Sequence, residues 1–261
     1  PQILSEQKFD IIHRFTPLGM RFPSAGRGYG LPLVLGPHGG SIATPTGFEA
    51  DMGAMPWYTK MRGIDSWRLN HDPILRGSFR DADLVLGVGD YVRELMSTIE
   101  LKRFEICLQS AYHELPPLPE RDFGHPGLKL LYVGRVVRTK GLIYAIQALA
   151  HLRDLTGITL DVVGDGNDRA ACEAEAARLQ LDEIVTFHGR KPRAEVNNFY
   201  QNADVFVFPS LREPSGQVVL EAMSYGLPLI VAKSGGPGGT VKDEFGFRIP
   251  ADSPCQLASE L

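Results

Sequence analysis

The chain has 261 residues, 43% of them hydrophobic and 22% charged, with 28 Gly and 19 Pro. That length suits two lobes of about 100–150 residues better than one domain, and the ordinary apolar fraction excludes wholesale disorder. Twenty-seven basic against 31 acidic residues leave a formal charge of −4, which argues against a nucleic-acid partner.

Short apolar runs alternate with helix-length segments along the chain. Strands are expected at 9–15, 32–35, 84–88, 128–133, 159–163, 184–188, 205–208 and 229–232. Most of these runs are continuously apolar, as parallel strands covered on both faces should be. Helical patterns lie between them at 90–99, 142–155, 168–179, 194–202 and 217–225, the signature of βαβ units. The class is α/β. A break at 109–127 holds four Pro and no periodicity, so a linker at 113–127 is expected between a lobe at 1–112 and a lobe at 128–261. The chain begins at Pro1 beside a strand-like run and stops at Leu261 in the first turn of a helix, so both ends read as cut.

Cys107, Cys172 and Cys255 form no CxxC pair, so neither a disulfide framework nor a structural zinc site is expected. No apolar run approaches the roughly 18 residues of a membrane span, and no signal peptide opens the chain. A cytoplasmic location follows as the expectation.

Ligands of doubly wound sheets bind at the carboxyl ends of the strands, where several Gly-containing turns lie. The turn Gly87-Val-Gly89-Asp-Tyr-Val92 lacks the third small residue of a dinucleotide fingerprint. Gly164-Asp-Gly166-Asn-Asp-Arg169 fails in the same slot, and Thr139 replaces the required Gly of a P-loop after Gly134. More informative is the run from Leu130 to Gly141, in which a strand ends at Gly134, Arg135 and Lys140 follow, and a helix begins. A guanidinium, an ammonium and a helix N-terminus together suit a phosphate, although solvated loop residues would show the same types. Past Phe208, Glu213 falls in a loop and Glu221 about one turn inside the next helix, with Gly216 at the junction. That separation suits two parts of one extended ligand. Val218, Val219, Ala222 and Met223 bury the helix, so a carboxylate beside them needs a partner.

Taken in order, Gly134-Arg135, Lys140-Gly141, Gly164-Asp165-Gly166, Glu213-x7-Glu221 with Ala222-Met223, and Gly226-Leu-Pro228 resemble glycosyltransferase family 4. The resemblance spans 128–250 and implies the GT-B fold, two Rossmann-like parallel-sheet lobes with a cleft between them, the N-terminal lobe here incomplete. It implies a retaining enzyme that moves a hexosyl group from a nucleotide-diphosphate sugar to a glycan, glycolipid or small-molecule hydroxyl. By the same resemblance Arg135 and Lys140 bind the donor diphosphate, and Gly134 and Gly164 belong to the donor site. Glu221 holds the ribose, and Glu213 faces the transferred sugar. The N–H groups around Gly216, Gln217 and Val218 meet the distal phosphate or the sugar. Arg190, with Lys191, lies where the family contacts the base, and His38, after a strand and before Gly39-Gly40, matches a histidine that reaches the sugar and leaving group. Arg135, Lys140, Glu213 and His38 are therefore the expected catalytic set. Ser215 and Gly239 stand where relatives often carry a bulky or sulfur-bearing residue and an acid. No metal or other cofactor is expected, since two cations can do a metal's work on a diphosphate and no carboxylate pair has metal-ligand spacing. The expected partners are the donor and a glycan or glycolipid acceptor, with peripheral contact at the inner face of a membrane. A non-catalytic nucleotide-sugar-binding module, a GT-B phosphorylase and an epimerase are the alternatives.

Overall fold

The computed structural model describes residues 7–17, 19–53, 62–109, 115–121, 124, 126–152 and 155–261. Contacts divide the chain into two compact units, Pro1–Ile42 with Ala54–Ala111, and Ala43–Gly53 with Tyr112–Leu261.

The first unit carries a parallel sheet in the order β1 (Ile12–Arg14), β2 (Leu33–His38), β3 (Leu84–Gly87) and β4 (Phe104–Ile106). Its helices are α1 (Arg62–His71), α2 (Pro73–Asp81) and α3 (Asp90–Leu95). The core gathers Leu33 and Leu35 of β2, Val85 of β3, Leu75 and Phe79 of α2, and Val92 of α3. Helix α2 starts sharply because the Asp72 carboxylate accepts from the N–H groups of Ile74 (3.0 Å) and Leu75 (3.1 Å), while Pro73 occupies a position that needs no donor. Two expectations change here. Strand 9–15 shrinks to three residues, and β2 runs on past 35, which makes His38 a strand residue rather than part of a turn.

The second unit has six parallel strands: β5 (Leu128–Val133), β6 (Ile158–Val163), β7 (Val185–Gly189), β8 (Val205–Phe208), β9 (Leu229–Ala232) and β10 (Gly246–Ile249). Their order across the sheet is β10-β9-β8-β5-β6-β7. Helices α4 (Leu142–Leu149), α5 (Arg169–Arg178), α6 (Arg193–Asn202), α7 (Gln217–Ser224), α8 (Gly235–Thr240) and α9 (Pro254–Glu260) follow strands β5 to β10 one by one. The chain walks outward from β5 to β7, then returns to the other side of β5 and walks out to β10. Order therefore reverses between β5 and β8, and the crevice outside the carboxyl ends of those two strands is where such a sheet binds its ligand. Tyr132, Phe206, Phe208, Val162 and Ile146 fill the core, each under 2% exposed.

Residues 43–53 lie in the sequence beside β2 yet pack with the second unit. Phe48 is fully buried there, its ring edge-on to Tyr144 at 5.3 Å. The Tyr144 hydroxyl donates to Asp51, and Gly47 lies so close to Asp252 that a Cβ would stand 1.8 Å from its carbonyl oxygen. The described part of the expected linker is also held by this unit. Arg121 donates to the carbonyls of Ala203, Tyr200 (3.1 Å) and Tyr225 (2.9 Å). The rest of that stretch, residues 113, 114, 122, 123 and 125, lies outside the described residues.

Candidate functional site

The turns after β5 and β6 are built to touch. Gly164, at φ 144°, presses against Gly134, where a Cβ would meet the Gly134 carbonyl oxygen at 1.8 Å. The Val136 N–H donates to Asp165 O (3.0 Å), and the Asp168 N–H returns to Val136 O (3.1 Å). Gly164 thus has a packing role, and its N–H is used by Gly189 O at 2.8 Å.

The turns after β5 and β8 meet across the reversal of strand order. N–H groups of Leu211 (3.0 Å) and Arg212 (3.3 Å) donate to Thr139 O. Gly141 caps α4 in the left-handed conformation (φ 74°), leaving no Cβ to strike Pro209 O. This brings Lys140 to Glu213: Nζ lies 2.5 Å from Oε2 and 2.9 Å from Arg212 O, with the lysine only 6% exposed. The other Glu213 oxygen accepts from the N–H groups of Gly216 (3.2 Å) and Ser215 (3.4 Å). Burial pushes the Lys140 ammonium below its ordinary range; Glu213 pulls it back up, and the charge of Arg135 pushes it down again. Arg135 is exposed, while Lys140 is inside.

Gly216, also left-handed (φ 68°), precedes α7, and no side chain caps that helix. One turn on, Glu221 is 4% exposed. It has the partner that its burial calls for: Arg193 Nη1 lies 2.5 Å from Oε1, and the Tyr200 hydroxyl donates to Oε2 at 3.0 Å. Gln217 is exposed and Val218 half-buried.

The remaining expected residues separate. Arg190 is exposed beyond β7, and Lys191, just before α6, pairs with Glu195 in its first turn at 3.3 Å. His38 corrects the expectation of a loop histidine open to a ligand. It ends β2 with no exposed surface, its ring edge-on to Phe79 at 5.3 Å, because the strand continues through the apolar interior of the first unit.

Three residues near the site were not singled out from the sequence. Arg138 lies 3.1 Å from Asp168 and 3.9 Å from Asp51, tying the 43–53 segment to the turn that carries Lys140. Arg193 and Tyr200 share one face of α6, seven residues apart. The pairing of Glu221 with some cation was readable from its apolar neighbours; the identity of that cation was not, because it comes from another helix.

No helix among the described residues is long and apolar enough to cross a membrane. The family model described as "Glycosyl transferases group 1" matches residues 121–261. A 2-deoxystreptamine glucosyltransferase of Streptomyces kanamyceticus is 36% identical over 137 residues, 51% of this chain and 35% of that one. A putative colanic acid biosynthesis glycosyltransferase of Escherichia coli K12 is 27% identical over 204 residues, 74% of this chain and 50% of that one. The chain therefore spans a third to a half of these relatives. Among solved structures, a lipopolysaccharide outer core galactosyltransferase in its apo form superposes with a TM-score of 0.69 at 19% identity, covering 98% of this chain and 66% of that one. That likeness gives the fold, GT-B, with parallel-sheet α/β architecture. With more than half of its length matched, this chain belongs to the glycosyl transferases group 1 family.

Proposed function

We propose that the chain carries the donor-binding part of a retaining glycosyltransferase that moves a hexosyl group from a nucleotide-diphosphate sugar to a hydroxyl of a glycan, glycolipid or small molecule. The observation that carries this reading is the meeting of Lys140 with Glu213 where the strand order reverses, in the turn that also carries Arg135. In sugar transfer the bond from the anomeric carbon to the diphosphate oxygen breaks, and negative charge builds on the departing diphosphate. Arg135 and Lys140 would stabilise that charge, helped by the N–H groups of Gln217 and Val218 in the first turn of α7, which no side chain caps. Losing one such cation costs about 10²–10⁴ in rate. Glu213, held by Lys140 and two backbone N–H groups, would face hydroxyls of the transferred sugar, and Glu221 the ribose. The acceptor oxygen attacks the anomeric carbon on the face the diphosphate leaves, and its proton passes to the leaving phosphate oxygen. Arg190 would lie toward the base. This reading needs no metal, because the two side-chain cations carry the charge. His38 is left out of it, since its ring is enclosed by core residues.

The proposed setting is the cytoplasm, with peripheral contact at the inner face of a membrane and a role in polysaccharide assembly. Thermal-shift screening against UDP-, GDP- and ADP-sugars tests the reading, since a ligand that binds only the folded state raises Tm by mass action. One donor class is expected to raise Tm, and transfer or slow hydrolysis should follow in a version that spans the relatives' full length. Binding without either would leave a nucleotide-sugar-binding module. No shift with any donor refutes the assignment.

A further inference from the structure

We propose that Arg193 and Tyr200 are positioning residues that aim the Glu221 carboxylate at the two ribose hydroxyls of a bound nucleotide. The inference rests on the donor reading above and extends it to side chains that the family motifs do not include. Glu221 is 4% exposed, so its protein partners, rather than bulk solvent, set its orientation. Its oxygens are held one by one: Arg193 Nη1 at 2.5 Å on Oε1, and the Tyr200 hydroxyl at 3.0 Å on Oε2. A carboxylate offers about four acceptor directions, and one bond on each oxygen leaves one open direction on each. Two vicinal hydroxyls need one acceptor apiece.

The supports of this carboxylate are themselves fixed. Tyr200 has no exposed surface, and its ring stacks on Tyr225 at 5.4 Å with 12° between planes. Its backbone carbonyl, like that of Tyr225, accepts from Arg121. Arg193 is different: its side chain is 54% exposed, yet its head reaches a carboxylate that is 5% exposed. A charge-assisted bond of this kind is stronger and more directional than a neutral one. It also spans from α6 to α7, so it reads as more than a surface pair. Packing alone would have been served by an apolar residue at 221.

The test compares binding of UDP, GDP and ADP with their 2′-deoxy counterparts and with the matching monophosphates. For the diphosphate that binds the wild type best, the ribo form should bind about tenfold or more tightly than the deoxy form, the effect of one hydrogen bond to a charged group. Arg193→Ala should bring that ratio close to one, Arg193→Lys should recover part of it, and Tyr200→Phe should lower it severalfold. The diphosphate-to-monophosphate ratio, which reads the Arg135–Lys140 end, should stay as in the wild type throughout. A ribo-to-deoxy ratio unchanged in Tyr200→Phe and in either Arg193 variant, whatever their Tm, overturns the proposal and leaves the two residues as ties between helices. A wild type that prefers diphosphate but ignores the 2′-hydroxyl also overturns it while the diphosphate reading stands. A wild type that does not distinguish diphosphate from monophosphate removes the donor reading itself, and the proposal with it. If Arg193→Ala fails to fold, the lysine variant and Tyr200→Phe decide the same question.

Discussion

Removing the Lys140 ammonium should separate two roles that the sequence alone leaves fused, closing the turn and holding a phosphate. Lys140→Met keeps most of the buried stem and deletes the charge. Its partner Glu213 then loses the 2.5 Å ion pair, but its side chain is 20% exposed and keeps the N–H groups of Gly216 and Ser215. Breaking a fully buried pair costs about 3–5 kcal/mol. With two donors and some water left to Glu213, about 1–3 kcal/mol is the appropriate size here. Glu213→Gln should cost at least as much, because it leaves an ammonium that is 7% exposed with the Arg212 carbonyl but no counter-ion. The double variant should therefore be less damaged than the sum of the two, with a coupling of about 1–3 kcal/mol in chemical unfolding. Binding should divide the pair differently. Lys140→Met should weaken a nucleoside diphosphate about tenfold to a hundredfold, the loss of one charge-assisted bond, while Glu213→Gln should hold or improve it by removing a competing anion. Isothermal titration gives both numbers. Equal losses in the two variants, or no loss in Lys140→Met, would refute the argument that Lys140 serves the ligand.

Phe48→Ala should destabilise the second unit by about 3–5 kcal/mol, since the ring is fully buried among its core residues. In a unit of this size that lowers Tm by about 6–20 °C, read by calorimetry, and a change under about 2 °C would show that the 43–53 segment does not pack there. Thiol labelling should find Cys107 and Cys255 reactive and Cys172 protected until denaturant is added. The Cys172 thiol is fully buried, and burial first, with the Asp168 charge second, pushes it up to about 12. Three fast thiols in the folded protein would contradict this packing. Hydrogen bonds from Arg178 hold the Glu175 carboxyl down to about 2, against an ordinary 4.5, with Gln147 assisting. Because the folded value is the lower one, this pair's contribution is present above pH about 4.5 and is lost as pH falls toward 2. Glu175→Gln should accordingly flatten the acid limb of a stability profile in that window, and an unchanged limb would count against the pairing.

The strands at the centre of the second sheet were legible because they are apolar on both faces. Leu128–Val133, Val205–Phe208 and Leu229–Ala232 lie where the runs place them. The edges were not. Phe104–Ile106 and Gly246–Ile249 are short, carry charge, and pair on one side only, so neither alternation nor a continuous run marks them. Helix α8, Gly-Gly-Pro-Gly-Gly-Thr, contradicts every helical propensity and is held by tertiary bonds such as Gly236 N–H to Glu213 O at 2.9 Å. A missed signal did exist for α2, where Asp72-Pro73 is a plain cap and first-turn pair. Lys140, Glu213, Gly216 and Glu221 were singled out by their spacing and by the family resemblance, and the structure brings Lys140, Glu213 and Gly216 into contact. The partners that orient them were hidden because contact between α6 and α7, or between residues 51 and 144, has no local pattern. His38 was misplaced for the opposite reason. Gly36-Pro37 looked like the end of a strand, whereas β2 continues past an irregularity there and pairs again at His38.

Where a pyrophosphate sits on the second unit bears most directly on the donor reading. A crystal structure of the chain with the nucleoside diphosphate that stabilises it most should place phosphate oxygens within about 3 Å of Arg135 and Lys140. The ribose should then lie on Glu221. Phosphate oxygens bound elsewhere on the second unit, with Lys140 still closed on Glu213 and nothing between them and Arg135, would contradict the central claim.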